Sequence, residues 1–445
     1  MRRYPEYKES GVEWIGEIPF HWDVKRLKHI GKILPSNVDK HIYPDEVQVR
    51  LCNYTDVYYN DYITVDTVLD KGSCKEREFE KFVLRKGDVI ITKDSETPDD
   101  IGVPTFIKDN LKSVVCGYHL TMIKTDTCRG EFIFRFIQSD RTRKYFEVES
   151  KGITRYGLGK SSIENLLLPI PTDFEQCAIT NFLDRKTEQI DELIRIKERR
   201  IELLQEQRTV LINQAVTKGL DPNVEMKPSG VEWIGEIPRH WKVQRLKYVA
   251  KILPSNVDKH IYPDEIQVRL CNYTHVYYND YITVDTVLDK GSCKEREFEK
   301  FVLRKSDVII TKDSETPDDI GVPTFVKDEI ENVVCGYHLT MIRPFSCRGD
   351  YIFRFIQSDR TRRYFELESN GITRYGLGKP SIENLLLPIP TDSEQRAIAN
   401  FLDQKTKQND ELIATEHRKI ELLKEYRQSL ISEAVTGKID VRNEV

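Results

Sequence analysis

Three polar segments in the first half of the chain combine side chains that can bind phosphates with side chains that can reach base edges. Duplex DNA is held at its phosphates by Arg, Lys, polar side chains and backbone amides, and it is read by side chains that contact base edges in the grooves. One segment follows a predicted strand, one is a glycine-rich loop, and one places polar residues beside paired tyrosines. The candidate DNA contacts are Thr92, Lys93, Asp94 and Ser95; Thr154, Arg155, Tyr156 and Lys160; and Asn53, Tyr58 and Tyr59.

The same chemistry recurs in the second half of the chain, at Thr311, Lys312, Asp313, Ser314, Thr373, Arg374, Tyr375 and Lys379. The alternative for each segment is a solvated or structural loop, and tyrosines in such runs often pack on a core. A carboxylate such as Asp94 would repel a phosphate, but it can accept a hydrogen bond from the amino group of cytosine. Trp14, Trp22 and their equivalents Trp233 and Trp241 are predicted to anchor a core instead.

The elements that position these residues are duplicated. Residues 10–171 return as residues 229–390 with a constant shift of 219 positions, and roughly 138 of 162 positions are identical. For residues 172–219 against 391–438 the identity falls to roughly 29 of 48. A repeat of this length is a whole domain followed by a whole helix, not a solenoid unit.

The first part of each copy predicts mixed β and α structure. Residues 82–84, 88–92 and 119–123 are short, β-branched and apolar and predict strands, whereas residues 132–146 predict one amphipathic helix. The second part predicts a helix of about 45 residues. In the first copy it starts at the capping box formed by Thr172 and Glu175, with Gly219 and Pro222 at its end.

Each long helix carries an apolar stripe at alternating steps of four and three residues, which is typical of a coiled-coil seam. We expect the two helices to pack on each other in antiparallel fashion; the alternative is that each lies on its own domain. Lys197 and Glu416 occupy the same mid-helix position and have opposite charge, so we expect their side chains to approach. The central seam residues are Ile194, Lys197, Ile201 and Leu204, and Ile413, Glu416, Ile420 and Leu423.

The composition is that of a globular protein. The chain has 445 residues, 39% hydrophobic and 32% charged, with no apolar run of the roughly 18 residues that a membrane span needs. Residues 1–6 do not resemble a signal peptide, so we expect a cytoplasmic protein. The nine cysteines lack metal-site spacing and are predicted to be reduced and mostly buried. The net charge of −5 does not exclude DNA binding, because a local patch matters more than the total.

Three motifs that each occur twice resemble the specificity subunit of Type I restriction-modification systems. They are Gly-Val-Glu-Trp-Ile-Gly-Glu-Ile-Pro-x-His-Trp at residues 11–22, Gly-Ile-Thr-Arg-Tyr-Gly-Leu at 152–158 ahead of Leu-Pro-Ile-Pro at 168–171, and Glu-Gln-x-x-Ile-x-x-Phe-Leu-Asp at 175–184. The two copies cover nearly the whole chain.

This resemblance implies that two target-recognition domains each read one half of a split DNA site. It further implies that the helices bind two methyltransferase subunits, which two motor-nuclease subunits then join. The resemblance assigns no cofactor to this subunit and assigns S-adenosylmethionine, ATP and Mg²⁺ to its partners. The sequence agrees: it has neither an Asn/Asp-Pro-Pro-aromatic methylation motif nor a Gly-x-x-x-x-Gly-Lys-Ser/Thr phosphate loop.

The predicted fold class is therefore α+β: two mixed α/β target-recognition domains separated by two long antiparallel coiled-coil helices, with pseudo-twofold symmetry. The predicted domains are recognition domain 1 at residues 1–171, spacer helix 1 at 172–220, recognition domain 2 at 221–390 and spacer helix 2 at 391–445.

The likeness of the two copies also predicts the kind of site. Residues 57–86 match 276–305 throughout and 88–106 match 307–325, whereas differences concentrate in the helices and in residues 124–126 against 343–345. Both domains are thus predicted to read the same half-sequence. Two like domains on antiparallel helices predict an inverted repeat, with about one helical turn between half-site centres.

Other classes of function remain open at this point. An orphan specificity protein or regulator without an active restriction complex would have the same sequence features, and co-purification with a methyltransferase would separate the two. A self-contained nuclease or methyltransferase is disfavoured by the missing motifs. A structural coiled-coil adaptor explains the helices but not the two globular domains.

Overall fold

The chain divides into two compact units, and the boundaries of these units do not coincide with the boundaries of the sequence repeat. The computed structural model describes residues 2–125 and 127–444. Unit 1 consists of Met1–Lys197 with His417–Val445, and unit 2 consists of Glu198–Glu416. Since Lys197 and Glu416 are equivalent positions, each long helix is divided at its middle. The domain boundaries predicted from the sequence stay a prediction, because each unit combines one globular copy with halves of both helices.

The first copy contains short strands and short helices followed by one long helix. Its strands are β1 (Tyr7–Glu9), β2 (Glu17–Pro19), β3 (Asp23–Arg26), β4 (Gly31–Pro35), β5 (Val47–Cys52), β6 (Tyr62–Ile63), β7 (Asp70–Cys74), β8 (Val89–Thr92), β9 (Asp94–Ser95), β10 (Pro104–Ile107), β11 (Val114–Cys116), β12 (Leu120–Thr125), β13 (Tyr156–Gly157) and β14 (Leu167–Ile170). Its helices are α1 (Tyr54–Tyr59), α2 (Glu76–Phe82), α3 (Gly130–Ile137), α4 (Asp140–Glu149), α5 (Lys160–Glu164) and α6 (Asp173–Lys218).

The second copy repeats this element order. Its strands are β15 (Met226–Pro228), β16 (Glu236–Pro238), β17 (Lys242–Arg245), β18 (Ala250–Pro254), β19 (Ile266–Cys271), β20 (Tyr281–Ile282), β21 (Asp289–Cys293), β22 (Val308–Thr311), β23 (Asp313–Ser314), β24 (Pro323–Val326), β25 (Val333–Cys335), β26 (Leu339–Pro344), β27 (Tyr375–Gly376) and β28 (Leu386–Ile389). Its helices are α7 (Tyr273–Tyr277), α8 (Glu295–Phe301), α9 (Gly349–Ile356), α10 (Asp359–Glu368), α11 (Lys379–Glu383) and α12 (Asp392–Val435).

A five-stranded sheet of order β4-β12-β8-β10-β6 is the central layer of unit 1, and a three-stranded sheet of order β11-β5-β7 lies beside it. Strand β8 is antiparallel to β10 and β12, while β10 pairs in parallel with β6. Val89 and Ile91 of β8 belong to a core shared with α3, α4 and the long helices, whereas Ile90 belongs to a second core shared with α1 and α2. Both faces of β8 are buried, which explains its uninterrupted apolar sequence. Unit 2 has the same sheets and the same two cores, so the mixed α/β prediction is confirmed.

Two local predictions were wrong. Residues 132–146 form two helices instead of one, because the side chain of Ser139 accepts a hydrogen bond from the backbone of Thr142 and so caps the start of α4. Residues 82–84 do not form a strand. Phe82 ends α2, and Val83 makes only an isolated bridge to Val115.

The start of the long helix in unit 1 is the predicted capping box, and it also joins two of the repeated motifs. Glu175 accepts hydrogen bonds from the backbone and side chain of Thr172, from the ring of His21 and from the indole of Trp22. Burial by itself would raise the pKa of Glu175, but the hydrogen bonds from His21 and Thr172 lower it below the usual value. Glu394 has the same partners in unit 2 and a pKa lowered to about 2. Trp22 is fully buried, as predicted.

The predicted packing of the two long helices on each other is confirmed, and the antiparallel direction is visible inside unit 2 alone. Glu416 pairs with Arg200 at 3.2 Å, and Asn409 donates to the carbonyl of Leu204 at 3.2 Å. As the residue number rises along α6, the residue number of the partner on α12 falls, which is the antiparallel direction. The central seam residues are all buried or half-buried. The approach of Lys197 to Glu416 stays a prediction, because these residues belong to different units.

A buried arginine links the globular part of unit 1 to its helices. Arg135 is 1% exposed and donates to Asp184, Gln138, Thr187 and the hydroxyl of Tyr62. Arg354 makes the same contacts in unit 2, with Asp403, Gln357, Thr406 and Tyr281. A buried guanidinium is stable only when its donors are satisfied, so this cluster defines how each globular part lies on its helix.

Residues 436–444, which follow α12, pack on the first residues of unit 1. Arg2 and Asp440 form an antiparallel bridge, the hydroxyl of Tyr7 donates to the carbonyl of Gly437 at 3.1 Å, and Arg442 lies over the ring of Tyr4. Unit 1 is therefore completed by residues from both extremes of the described chain.

The cysteines carry free thiols and most are buried, in agreement with the prediction. Among the described residues, no helix has the length and apolar content required to span a membrane. Within residues 2–125 and 127–444, no group of three or more His, Cys, Asp or Glu side chains is placed to hold a metal ion.

Candidate nucleic-acid interface

A groove of about 490 Å³ lies between α1 and β9 in unit 1, and it brings together several of the candidate DNA contacts. We call it the α1–β9 groove. Its walls are aromatic, hydroxyl-bearing and charged side chains that come from four separate parts of the chain. The lining residues are Tyr54, Thr55, Tyr58, Tyr59, Asp94, Ser95, Glu96, Thr97, Asp100, His119 and Arg155.

Helix α1 provides the aromatic wall. Asn53 and Asp56 cap its first turn, with the backbone N–H of Asn53 donating to Asp56 at 2.7 Å. Tyr54 and Tyr58 lie one turn apart and stack, with ring centroids 5.6 Å apart. The hydroxyl of Tyr58 donates to Asp100 at 2.7 Å, which raises the pKa of Tyr58 to about 12. Tyr58 is therefore fixed, whereas the neighbouring Tyr59 is 77% exposed.

The opposite wall is organised around Asp94. His119 Nδ1 lies 2.7 Å from Asp94 Oδ2, and the imidazole packs edge-on against Tyr118 with ring centroids 4.2 Å apart. The backbone of His119 has φ +73°, a left-handed conformation that costs free energy in a residue other than glycine. Lys93 lies over the ring of Tyr118 and donates to the carbonyl of Ser36 at 2.8 Å.

The glycine-rich loop delivers Arg155 to the end of the groove. Gly152 has φ +153°, and a Cβ atom there would lie 1.9 Å from the carbonyl oxygen of Arg155, so only glycine fits. Tyr156 then pairs with Ser95 between β13 and β9, which fixes the loop on the groove wall. Arg155 and Thr154 are exposed.

The structure does not bring every candidate to the groove. Thr92 is fully buried, and its hydroxyl accepts from the backbone of Val103. Lys160 starts α5 and pairs with Glu164 at 3.3 Å. Asn53 lies at the edge and donates to Asp70 at 3.1 Å. A side chain without exposed surface has nothing to offer a duplex, so neither Thr92 nor its equivalent Thr311, which is also buried, belongs to the candidate interface.

His119 and Tyr118 were not among the residues singled out from the sequence. A single histidine after a predicted strand has no periodicity or spacing that marks it. The signal available was its position two residues after Gly117, where the chain turns into β12, but its pairing with Asp94 is a long-range contact.

Unit 2 reproduces this geometry. Tyr277 donates to Asp319 at 2.8 Å, which raises the pKa of Tyr277 to about 12, and His338 lies 2.7 Å from Asp313. All eleven lining residues recur without substitution. They are Tyr273, Thr274, Tyr277, Tyr278, Asp313, Ser314, Glu315, Thr316, Asp319, His338 and Arg374.

The remaining candidates of the second copy are placed as in the first. Lys312 donates to the carbonyl of Ser255 at 3.0 Å, Lys379 pairs with Glu383 at 3.3 Å and Tyr375 pairs with Ser314. Thr373 is exposed.

The α1–β9 groove carries more negative than positive charge. The carboxylates of Asp94, Glu96 and Asp100 line it, together with the guanidinium of Arg155. Carboxylates are repelled by phosphates, but they accept hydrogen bonds from base amino groups. The arrangement thus suits contact with base edges, with Arg155 and the exposed loop around it available for phosphates.

A whole α/β domain with its long helix, present twice, defines the architectural class of this chain. The family model described as "Type I restriction modification DNA specificity domain" matches residues 19–205 and again residues 238–422. The chain therefore belongs to the family of Type I restriction-modification specificity proteins, with two copies of the family's domain. Members of this family are the DNA-recognition components of these systems and not the catalytic ones.

Curated relatives match along their whole length. The chain is 22% identical over 459 residues to the putative type I restriction enzyme MjaX specificity subunit of Methanocaldococcus jannaschii, covering 98% of each protein. It is 21% identical over 446 residues to the type I restriction enzyme MjaVIII specificity subunit of the same organism, again with 98% of both covered.

Solved structures share the fold. One is a chain of a structure titled as the structural basis of complex assembly and conformational transition of the type I R-M system. Its TM-score is 0.70 at 17% sequence identity, and the match covers 95% of this chain and 99% of that chain. The other is the HsdS subunit from Thermoanaerobacter tengcongensis, with a TM-score of 0.54, 16% identity, and 95% and 98% covered.

Proposed function

We propose that this chain reads a bipartite DNA site whose two halves have the same sequence in inverted orientation. The observation that carries the proposal is the identity of all eleven groove residues in the two copies. Base discrimination depends on which side chains reach the base edges, so identical grooves with identical hydrogen bonds select the same bases. The proposed reading residues are Tyr58, Tyr59, Asp94 and Arg155 with their equivalents in unit 2.

The proposed inverted orientation is supported by the helix direction within each unit. In unit 2 the second half of α6 packs antiparallel to the middle of α12, through Arg200 with Glu416 and Leu204 with Asn409. In unit 1, Arg427 of α12 pairs with Asp191 of α6 at 3.1 Å. The duplicated sequence and this helix direction support the proposal of an inverted repeat, which is the symmetry of duplex DNA. We propose a non-specific spacer that places the half-site centres about one helical turn apart.

We further propose that two methyltransferase subunits dock on the helices and that two restriction subunits join them in the cytoplasm. S-adenosylmethionine, ATP and Mg²⁺ would belong to those partners. The family membership supports this, as does the fold shared with a chain from a type I complex assembly. A chain that binds its site but does not co-purify with a methyltransferase would be the orphan DNA-binding protein.

The methylation motif of DNA modified by this chain with its methyltransferase tests the site. We expect two identical half-sites in inverted orientation, and two unrelated halves or a direct repeat would overturn the proposal. Arg155→Ala should weaken binding to the methylated site by about tenfold, and adding Arg374→Ala should weaken it further, because each removes a cationic donor from one groove. The matched control is Arg77→Ala, which removes an exposed arginine of α2 outside the groove and should leave binding unchanged.

A further inference from the structure

We infer that each recognition domain contacts a C·G base pair through Asp94 in unit 1 and Asp313 in unit 2. This rests on the proposed DNA-reading function and adds the kind of base pair that one named side chain recognises.

Asp94 is a carboxylate of the α1–β9 groove that is both held in place and accessible. His119 binds Oδ2 at 2.7 Å, and the side chain of Asp94 is 27% exposed. Oδ1 lies next to Gly157, where a Cβ atom would approach to 3.4 Å, so the absence of a side chain leaves room beside this oxygen. Asp100 is half-buried as well, but it accepts its hydrogen bond from Tyr58 of the aromatic wall and not from the histidine. Glu96 is exposed, with no such fixed partner in the part of the chain that is described.

His119, which binds Asp94, has the same backbone conformation as its equivalent in unit 2. His119 adopts its left-handed backbone conformation in unit 1 and His338 does the same in unit 2, with φ +73° and +70°. A strained conformation kept at the same place in both copies is typical of residues whose side chain must point in one direction. Here that direction places the imidazole on the carboxylate.

A fixed carboxylate can only accept hydrogen bonds, and this restricts its partner on DNA. Phosphates repel it, so the partner is an amino group on a base edge. In the major groove cytosine offers its N4 amino group without an adjacent acceptor, whereas the N6 amino group of adenine lies beside the N7 acceptor and favours an amide side chain. In the minor groove the guanine N2 amino group is the donor, and A·T pairs present only acceptors. In either groove, therefore, a carboxylate selects a C·G pair.

The test is the Asp94→Asn variant of the full chain, assembled with its methyltransferase. The amide keeps the size of the side chain but adds a donor, so it suits adenine as well. We expect the wild-type motif to contain a C·G pair at the same position of both halves. In the variant, the preference for C·G at this position should fall by about tenfold in one half-site only. The other half-site is read through the unchanged Asp313 and should keep the wild-type preference.

Two arms make the outcome decisive. Asp313→Asn should reproduce the one-sided loss, and the unchanged half-site in each variant shows that the chain is folded and assembled. Glu96→Gln removes the same charge from the same groove and should not alter the motif. If Glu96→Gln relaxes the C·G position instead, or if Asp94→Asn leaves the motif unaltered, the assignment to Asp94 is overturned. An inverted-repeat motif without a shared C·G pair rejects this inference alone, whereas a motif without inverted halves rejects the proposed function.

Discussion

The α1–β9 groove and the base of each globular domain, where the domain meets its long helix, differ in how many of their contacts have changed between the two copies. The α1–β9 groove has no substitution in its lining, although most of its side chains are at least partly exposed and would tolerate change on stability grounds. Where the domain meets its long helix, some contacts differ between the copies, although the capping box and the buried arginine cluster do not. At the positions that differ, folding is satisfied by more than one set of contacts, whereas a surface that reads DNA accepts one set. The unchanged lining of a partly exposed groove therefore supports a functional constraint on it.

One rebuilt contact is the ion pair next to the helix start. Arg129 pairs with Asp173 of α6 at 2.9 Å in unit 1. In unit 2 the equivalent Arg348 pairs with Asp350 instead, at 2.7 Å. Both pairs are open to solvent at least in part and contribute little to stability, which is why they could change.

A second rebuilt contact is buried. Phe132 in the core of unit 1 is replaced by Tyr351 in unit 2, and the hydroxyl of Tyr351 donates to the carbonyls of Val216 and Pro388. A buried hydroxyl requires such partners, so the substitution was accommodated by hydrogen bonding and not by empty space.

The largest effect is expected at the buried arginine cluster, a part of the base of the domain that is the same in both units. Arg135→Met should lower the free energy of unfolding of unit 1 by about 3 kcal/mol, because it leaves Gln138, Thr187 and the hydroxyl of Tyr62 without their donor in a buried site. Urea unfolding gives the magnitude, and hydrogen exchange should localise the loss to unit 1.

Two controls belong to this prediction. Arg354→Met should give the same loss in unit 2, and Arg129→Met, which removes an exposed pair, should cost less than about 1 kcal/mol. Equal losses from Arg135→Met and Arg129→Met would contradict the central role of the buried arginine.

An intermediate effect is expected at a buried carboxylate that the copies treat differently. Burial raises the pKa of Asp88 in unit 1, where Lys124 and Arg85 are the nearby cations. In unit 2 the equivalent Asp307 is bound by Arg343 at 2.8 Å and 3.0 Å. A raised folded-state pKa stabilises unit 1 fully below the unfolded carboxyl pKa of about 3.9, and this stabilisation is lost as the pH rises through the folded value.

Lys124→Arg should therefore add about 1 kcal/mol to the stability of unit 1 at neutral pH, because a guanidinium can bind the ionised carboxylate through two donors. The gain over the parent chain should shrink as the pH falls toward 4, since protonation removes the charge that the arginine binds. Arg343→Lys should give the opposite change in unit 2. Unfolding measured between pH 4 and pH 8 checks both, and a gain that does not vary with pH would contradict the explanation.

The smallest effect is expected beside the groove itself. Asp56 and His275 differ in charge but accept the same backbone hydrogen bond, at 2.7 Å from Asn53 and 2.9 Å from Asn272. Exchanging them, by Asp56→His with His275→Asp, should change stability by less than about 0.5 kcal/mol and leave the methylation motif unaltered. A changed motif would show that this position takes part in reading, and the two domains would then no longer be equivalent readers.

Much of the fold could be predicted from the sequence because its signals are local or periodic. The capping box at Thr172, the seam through Ile201 and Leu204, and the apolar strand at 89–92 depend on neighbours within one or two turns or on a simple period. The break at Ser139 was missed because the apolar pattern continues across it. The end of α2 at Phe82 was missed because three apolar residues satisfy both helix and strand patterns.

The candidate site could be predicted in part. The segments around Asp94 and Arg155 were identified by their polar chemistry, yet spacing alone did not show that they share one wall through the pairing of β9 with β13. It also did not separate Thr92, which points into the core, from Asp94 two residues later. His119 could be recognised as a residue of the groove only from the structure, in which a long-range contact places its ring on the carboxylate of Asp94. Residue 126, part of a loop singled out for its divergence between the copies, lies outside the described residues.

The way unit 1 is completed has a consequence for how the chain folds during synthesis. Unit 2 is one continuous stretch, whereas unit 1 needs His417–Val445, and its contact between Tyr7 and Gly437 spans 430 positions of sequence. Domains normally fold in the order in which they leave the ribosome, and contacts between distant parts of a chain form slowly. The recognition domain that is synthesised first is therefore finished last. Its apolar surface for Leu430 and Ile431 stays open while the second domain is translated, which makes it the part of the nascent chain most in need of chaperone protection.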